Sequence, residues 1–416
     1  MRPAEQSGGE KGGQGERDRS LHKIHWLRGV DRSGRELKSV KETFRFQALK
    51  GGEWRVRAAI VITFAVAAWW VGEAFGEGLS QGLAKFEFSK PEMGTTFVLS
   101  LYSDSEANAR RAAELAFKRV EELNQALSDY DAESELSRLC ERAGGPAVPV
   151  SQPLFDCLER SKEVWRLSQG AFDVTAAPVI RLWRRARRTK TLPDPKQLEA
   201  AQALVGSEHL ILDREKRTVR LAKKGMRLDL GGIAKGYAAD QAYDVLKREG
   251  HPIALIAAGG DIRAGDPPPG REGWEVAIAG LKPETDAPVT TLLVARGAVS
   301  TAGDAYQFVE IGGKRYSHII DPRTGQALTR LSSVSVVAPD ATTSDSLDTA
   351  ASVMGPEPGI AWIESLREFQ VGAIFLTPET DGPSPKVREI VTKRFADWPK
   401  APSRLPSGAR PNRQNP

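Results

Sequence analysis

Along the chain, hydrophobic and polar positions fall into three regimes. Residues 1–50 are rich in Gly, Ser, Arg and Glu with little periodicity, a composition that predicts a loose basic arm. Residues 58–72, "AAIVITFAVAAWWVG", then run without a single charge behind Arg55 and Arg57. Fifteen residues are short for a membrane span, which takes about 20. The run fits the apolar core of an export signal, with Gly72–Ala74 or Ala74–Gly76 as small-residue cleavage sites, or an uncleaved N-terminal anchor. Positive charge ahead of it predicts that the remainder lies outside the cytoplasm. No Met stands between Met1 and Met93, so a later start at a non-ATG codon near Val56 is an alternative to a 57-residue lead. No Cys follows the run closely, which argues against a lipid-modified cysteine anchor.

From Met93 onward two periods alternate. "TTFVLSLYS" has the period of two expected of a strand, and "SEANARRAAELAFKRVEELNQALS" carries Ala113, Ala116, Val120 and Leu123 on one helical stripe. "SQPLFDCLERSKEVWRLSQG" and "IAKGYAADQAYDVLKREG" read as helices stopped by Gly170 and Gly250. "HLILDREKRTVRLAKKGMRLDL" reads as strands around charged turns; "IALIAAGG", "WEVAIAG", "TTLLVARGAVST", "QFVEIGGKRYSHIID", "SSVSVVAP" and "VGAIFLT" are further strands. The last residues form a Pro/Arg-rich polar tail.

Composition changes this picture little. Hydrophobic content of 40% and charged content of 27% are those of a globular protein. The net charge of +5 is concentrated at the start. Residues 1–57 hold 14 Lys/Arg against 8 Asp/Glu, so everything after them sums to about −1 and gives no reason to expect nucleic-acid binding. Cys140 and Cys157 show neither CxxC nor Cys/His spacing, which removes the usual zinc sites and any disulfide framework; two small buried residues are expected.

Four stretches carry candidate chemistry. In "LDLGGIAKGYAAD" (228–240) a strand ends at Leu230, two glycines turn the chain, and a helix starts near Ile233 with Lys235 in its first turn. Exposed amides at such a start attract phosphate, although neither a P-loop nor a Rossmann fingerprint is present. "IAAGGDIRAG" ends a strand on two glycines before Asp261, which allows close backbone approach to a ligand or simply a bulge. "KRYSHIIDPRTGQAL" places His318, alone among five histidines, beside a polar loop with a Pro-containing turn. In "TSDSLDTAAS" the spacing i, i+3, i+4 puts Asp345, Asp348 and Thr349 on one helix face. They offer hard oxygen ligands to Mg²⁺ or Ca²⁺; equally, Asp345 could be an N-cap and Asp348 a first-turn carboxylate facing the helix dipole.

These stretches, with "MGTTF" (93–97), "LSDYDAESELSRL" (127–139) and "GAFDVTAAPVIRLW" (170–183), resemble in order and spacing the ApbE family of FAD:protein FMN transferases, from about residue 91 to 398. "STAGDA" departs from the Thr-Ser-Gly common in the family. The resemblance implies an α+β fold, mixed sheets with packed helices and a cleft between two subregions. It implies Mg²⁺-dependent transfer of FMN from FAD to a Thr or Ser of a partner protein, with release of AMP. The partner is expected to be a membrane-associated redox subunit and the setting periplasmic. An FAD-binding carrier, or a pyrophosphatase giving free FMN and AMP, remains the alternative. Carried over by motif, Asp345, Asp348, Thr349 and the Gly232 carbonyl hold the metal. Met93, Tyr130, Asp173, Lys235, His318 and Ile319 contact FAD, and His318 assists proton transfer or lies against the flavin ring. An acidic residue replaces Lys235 in some members, so that side chain tunes phosphate contact. The expected organisation is a basic segment 1–57, a signal or anchor 58–76, a linker 77–90, the transferase domain 91–398 and a disordered tail 399–416.

Overall fold

The computed structural model describes residues 82–281, 286–303, 307–379 and 386–402. The expected basic segment, the signal or anchor, the start of the linker and most of the tail lie outside them. The rest of the linker is a strand: β1 (Ala84–Glu92) pairs with β2 (Thr95–Ser103), because Phe86 and Phe88 alternate onto the core between charged neighbours. α1 (Glu106–Leu127) starts on the side-chain cap of Ser105 and buries the expected stripe, Ala113, Ala116, Val120 and Leu123, together with Ala109 and Ala112.

A region of short elements follows. It holds α2 (Glu135–Glu141), β3 (Val148–Pro149), α3 (Gln152–Leu167), α4 (Ala177–Thr189), α5 (Pro195–Gln202), β4 (Leu210–Asp213) and β5 (Thr218–Leu221). The strand expected to end at Leu230 is not formed: Leu228 N–H bonds to Cys140 Sγ and Asp229 N–H to the Val174 carbonyl, so no sheet partner is left for it. Then come α6 (Ala234–Arg248), β6 (Ala254–Ala258), β7 (Asp261–Ala264), β8 (Trp274–Ile278), β9 (Thr290–Val294) and β10 (Gly297–Gly303). After them stand β11 (Phe308–Ile311), β12 (Lys314–Ser317), β13 (Ile320–Asp321), β14 (Gln326–Ala327) and β15 (Ser333–Ala338). The chain closes with α7 (Ala341–Met354), α8 (Pro356–Ser365), β16 (Gly372–Pro378), β17 (Val387–Val391) and α9 (Lys393–Ala396).

Eight strands make the main sheet in the order β1-β2-β6-β7-β10-β15-β16-β17. The α+β expectation holds, but all pairings among the described strands are antiparallel, so the sheets are not mixed in direction. Both faces of the main sheet are covered, and successive residues divide between them. Ala298, Val336, Ala373 and Phe375 join the core shared with α1, α6 and α7, while Val299, Val337, Ile374 and Leu376 join the core under β8 and β9. This is why β15, "SVSVVA", has no exposed position. The tail's first residues are ordered: Leu293 N–H donates to the Pro399 carbonyl and Ala401 N–H to the Thr291 carbonyl, extending β9. Cys140 and Cys157 are free thiols, both buried. Among the described residues, no helix is long and apolar enough to cross a membrane.

Candidate functional site

The site begins where two helices meet. α6 opens on Ile233, a residue with no side-chain oxygen to satisfy the first amides of the helix. The missing cap comes from another element: Gly236 N–H donates to Asp345 Oδ2 at 2.9 Å. α7 is in turn served by α6, since Asp240 accepts from Ala341 N–H (2.9 Å), Thr342 N–H (2.8 Å) and the Thr342 hydroxyl (2.6 Å). The N-cap of α7 itself is Asp340, so Asp345 is not the cap of its own helix. Glycine at 236 makes the contact feasible. A Cβ there would lie 2.2 Å from the Ala341 carbonyl oxygen and 2.8 Å from Asp345 Cβ.

A third carboxylate joins from the sheet. Asp261 follows the two-residue hairpin of Gly259 and Gly260 and stands opposite Ser300 of β10, whose hydroxyl lies 2.7 Å from the Ser344 hydroxyl of α7. Asp261, Asp345 and Asp348 thereby bring one oxygen each within 4.8 Å of one another, and all three are buried. Lys235 is the cation among them: its Nζ lies 2.7 Å from Asp261 Oδ2 and 3.4 Å from Asp345 Oδ1. Burial works against the ammonium, but Asp261, Asp345 and Asp348 outweigh it and hold its pKa above that of an ordinary lysine. Burial, then the Asp261 charge, pushes Asp345 up to about 7. Burial and Asp345 hold Asp348 well above the carboxylate range.

Three buried carboxylates against one ammonium would carry an excess of negative charge if all were ionised, and the raised pKa values of Asp345 and Asp348 answer that cost. Asp261 Oδ2 has Lys235 Nζ, at 2.7 Å, as its charged partner. Hard oxygens in this number and charge suit a hard divalent cation. Thr349 Oγ1 lies 3.3 Å from Asp348 Oδ1, and a Cβ on Gly232 would stand 3.0 Å from that same hydroxyl. The four residues expected to hold a metal therefore converge, together with Lys235. Asp261 is the member whose side chain the sequence did not single out, its stretch suggesting close backbone approach to a ligand or a bulge.

A second wall carries Tyr130 and His318. Tyr130 is 78% exposed, with the Arg184 guanidinium 4.4 Å from its ring centroid. His318 sits just past β12 in the link to β13, outside any strand. Its backbone N–H donates to the Gln307 carbonyl at 2.8 Å, and its Nδ1 lies 3.1 Å from that same oxygen. A carbonyl can only accept, so Nδ1 carries the proton and Nε2 presents a lone pair. Burial, then the charge of Arg187, lowers the ring's pKa to about 4; Lys235 contributes in the same direction. His318 is therefore neutral near pH 7. Ile319 is half-buried beside it, its N–H on the Ser317 hydroxyl.

The remaining two expected residues sit differently. Met93 and Gly94 form the β1–β2 turn, both at positive φ (49° and 75°), a conformation a methionine adopts only under constraint. The turn borders a depression of about 480 Å³ reaching to Asn124, and a Cβ on Gly259 would stand 2.9 Å from the Thr95 hydroxyl, so the Met93 and Asp261 hairpins adjoin. Asp173 is occupied by structure: its carboxylate accepts from Thr175 N–H, the Thr175 hydroxyl, Ser207 N–H and the Ser207 hydroxyl.

Known proteins resemble this chain in both sequence and fold. The sequence profile of the ApbE family matches residues 93–375. A FAD:protein FMN transferase of Klebsiella pneumoniae is 33% identical over 298 residues, covering 71% of this chain and 90% of the relative. One of Treponema pallidum is 34% identical over 323 residues, covering 73% and 88%. The solved structure of the flavin transferase ApbE from Vibrio cholerae superposes with a TM-score of 0.68 at 28% identity, covering 76% of this chain and 99% of that one. The apo flavinyl transferase ApbE of Pseudomonas stutzeri gives a TM-score of 0.68 at 28% identity, covering 77% and 98%.

Proposed function

Since this chain belongs to the ApbE family and is a flavin transferase, we propose that it moves FMN from FAD to a Thr or Ser hydroxyl of a partner protein and releases AMP. The observation that carries the reading is the buried cluster of Asp261, Asp345 and Asp348 with Lys235 among them. Asp345, Asp348, Thr349 and the Gly232 carbonyl would hold Mg²⁺, with Asp261 as a further oxygen donor. When bound, the ion supplies positive charge that offsets the pyrophosphate and the departing AMP.

The chain's own residues account for the remaining chemistry. The acceptor oxygen bonds to the flavin-side phosphorus as the bond from that phosphorus to the bridging oxygen breaks, and AMP leaves with the electron pair. Lys235, kept protonated by its carboxylates, stabilises the growing negative charge. The acceptor's proton goes to His318 Nε2, the lone pair left open by the Nδ1 contact with Gln307. Tyr130 offers a ring face to FAD, and Met93, Ile319 and the backbone beside Asp173 complete the cofactor wall. The uncharged run at 58–72 behind Arg55 and Arg57 supports an extracytoplasmic, periplasmic enzyme, exported or anchored, acting on a membrane-associated redox subunit.

Incubation of the protein with FAD, Mg²⁺ and a Thr-containing acceptor peptide tests this reading. AMP and a peptide heavier by FMN are expected together, and only with Mg²⁺. No AMP would make the protein a FAD binder, and AMP with free FMN would make it a pyrophosphatase. Asp345→Ala is expected to abolish turnover; full activity in that variant would overturn the metal assignment.

A further inference from the structure

Arg184 of α4 joins two other segments. One guanidinium nitrogen binds Asp129 and the other binds Asp229 Oδ2 at 2.6 Å. The face of the same group lies under the Tyr130 ring. Asp229 is buried, and its second oxygen accepts Gly231 N–H at 2.8 Å, in the turn that leads to Gly232 and Lys235. The other end is equally fixed. The Ser128 hydroxyl accepts from both Tyr130 N–H and Asp131 N–H at 3.2 Å, and the Ser134 hydroxyl closes the loop on the Ser128 carbonyl at 2.6 Å.

A single planar cation thus spans the turn carrying an open aromatic face and the turn carrying the phosphate and metal groups. Burial opposes the Arg184 charge, but Asp229 and Asp129 outweigh it, so the span is ionic as well as geometric. Only one face of the Tyr130 ring is covered by the guanidinium, and the ring stays largely in solvent. A rigid aromatic with a free face is a platform for a second planar ring. FAD has planar rings and a pyrophosphate in one molecule, so the two turns must be held at a set separation to grip it at both places.

We propose that Arg184 is a positioning residue for FAD, clamping the Tyr130 platform to the Gly231–Lys235 turn. The inference rests on the flavin-transferase reading of the site. It is tested with Arg184→Gln, Arg184→Lys and Tyr130→Ala, singly and as Arg184/Tyr130 double variants, by flavin-fluorescence titration with FAD and by the kinetics of AMP release. Losing hydrogen bonds between charged groups predicts FAD binding weaker by about tenfold or more in Arg184→Gln, with KM rising more than kcat falls. Arg184→Lys is expected to restore only part of this, because an ammonium has no planar fork to bridge two carboxylates beneath a ring. Tyr130→Ala should cost much less in an Arg184 variant than in the wild type, since the platform is already released.

FAD affinity within about twofold of wild type in folded Arg184→Gln, or strictly additive Arg184 and Tyr130 effects, would overturn the proposal. Should Arg184→Gln not fold, the Arg184→Lys cycle with Tyr130→Ala gives the same coupling. Failure of the transferase reading looks different: wild-type protein would bind FAD without forming modified peptide, and the titrations would still decide the role of Arg184.

Discussion

His318 shows how a single ring is prepared for its task. Two contacts to one carbonyl fix its tautomer, and burial with nearby cations keeps it neutral, its pKa near 4. A histidine titrates near 6.5 in an unfolded chain. Between those two values the unfolded chain holds more protons, so folding stability rises with pH there and is lost as pH falls from 6.5 toward 4. The loss by pH 5 is at most about 2 kcal/mol, less where solvent screens the half-buried ring. His318→Gln should remove that acid-side slope in urea unfolding at pH 7 and pH 5. The proton signal of the His318 ring should titrate with a midpoint about 4; a midpoint of an ordinary histidine would show that the ring is not held as described. The sequence made His318 conspicuous by its polar, glycine-flanked loop, but its tautomer depends on Gln307, eleven residues away across a hairpin.

Among elements, the exchange of caps between α6 and α7 decides the site. α6 was legible from its period and from Gly250 and begins within one residue of Ile233, and α7 was legible from the helical spacing of Asp345, Asp348 and Thr349. Which carboxylate caps which helix was not legible, because the partners lie 109 residues apart for Gly236 and Asp345 and 101 for Asp240 and Ala341. For the same reason "GGDIRAG" showed a turn but hid the role of Asp261, which is set by the register of β7 on β10 and the seating of α7 above them. Asp173 marks the opposite case: its motif is matched, yet its carboxylate is consumed by Thr175 and Ser207. Gly236→Ala tests the helix contact. The added methyl would press on the Ala341 carbonyl, and overpacking of this kind costs about 1–3 kcal/mol. Urea unfolding should show that loss, and Mg²⁺ titration should show weakened binding as Asp345 moves. Wild-type values for both would mean that the helices part freely.

For the whole molecule, a buried carboxylate cluster that suits a divalent cation should make stability depend on that cation. An ion at about 100 times its dissociation constant adds about 2.7 kcal/mol to folding stability. At about 2–4 °C per kcal/mol, Mg²⁺ should raise the melting temperature by roughly 5–10 °C, and a chelator should reverse the rise. Asp348→Asn should lose the Mg²⁺ response, since it removes one carboxylate of the cluster. A rise on Mg²⁺ addition that persists in Asp348→Asn would place the ion elsewhere. The shared cap has a consequence for descent as well. Selection on folding should retain Asp345 even where catalysis no longer matters, because it caps α6, whereas the hydrogen bond described for the Asp348 side chain is the one from Thr349. In lineages that abandon flavin transfer, Asp348 should drift first and Asp345 last, leaving a lone carboxylate at a helix start as the relic of a vanished metal site.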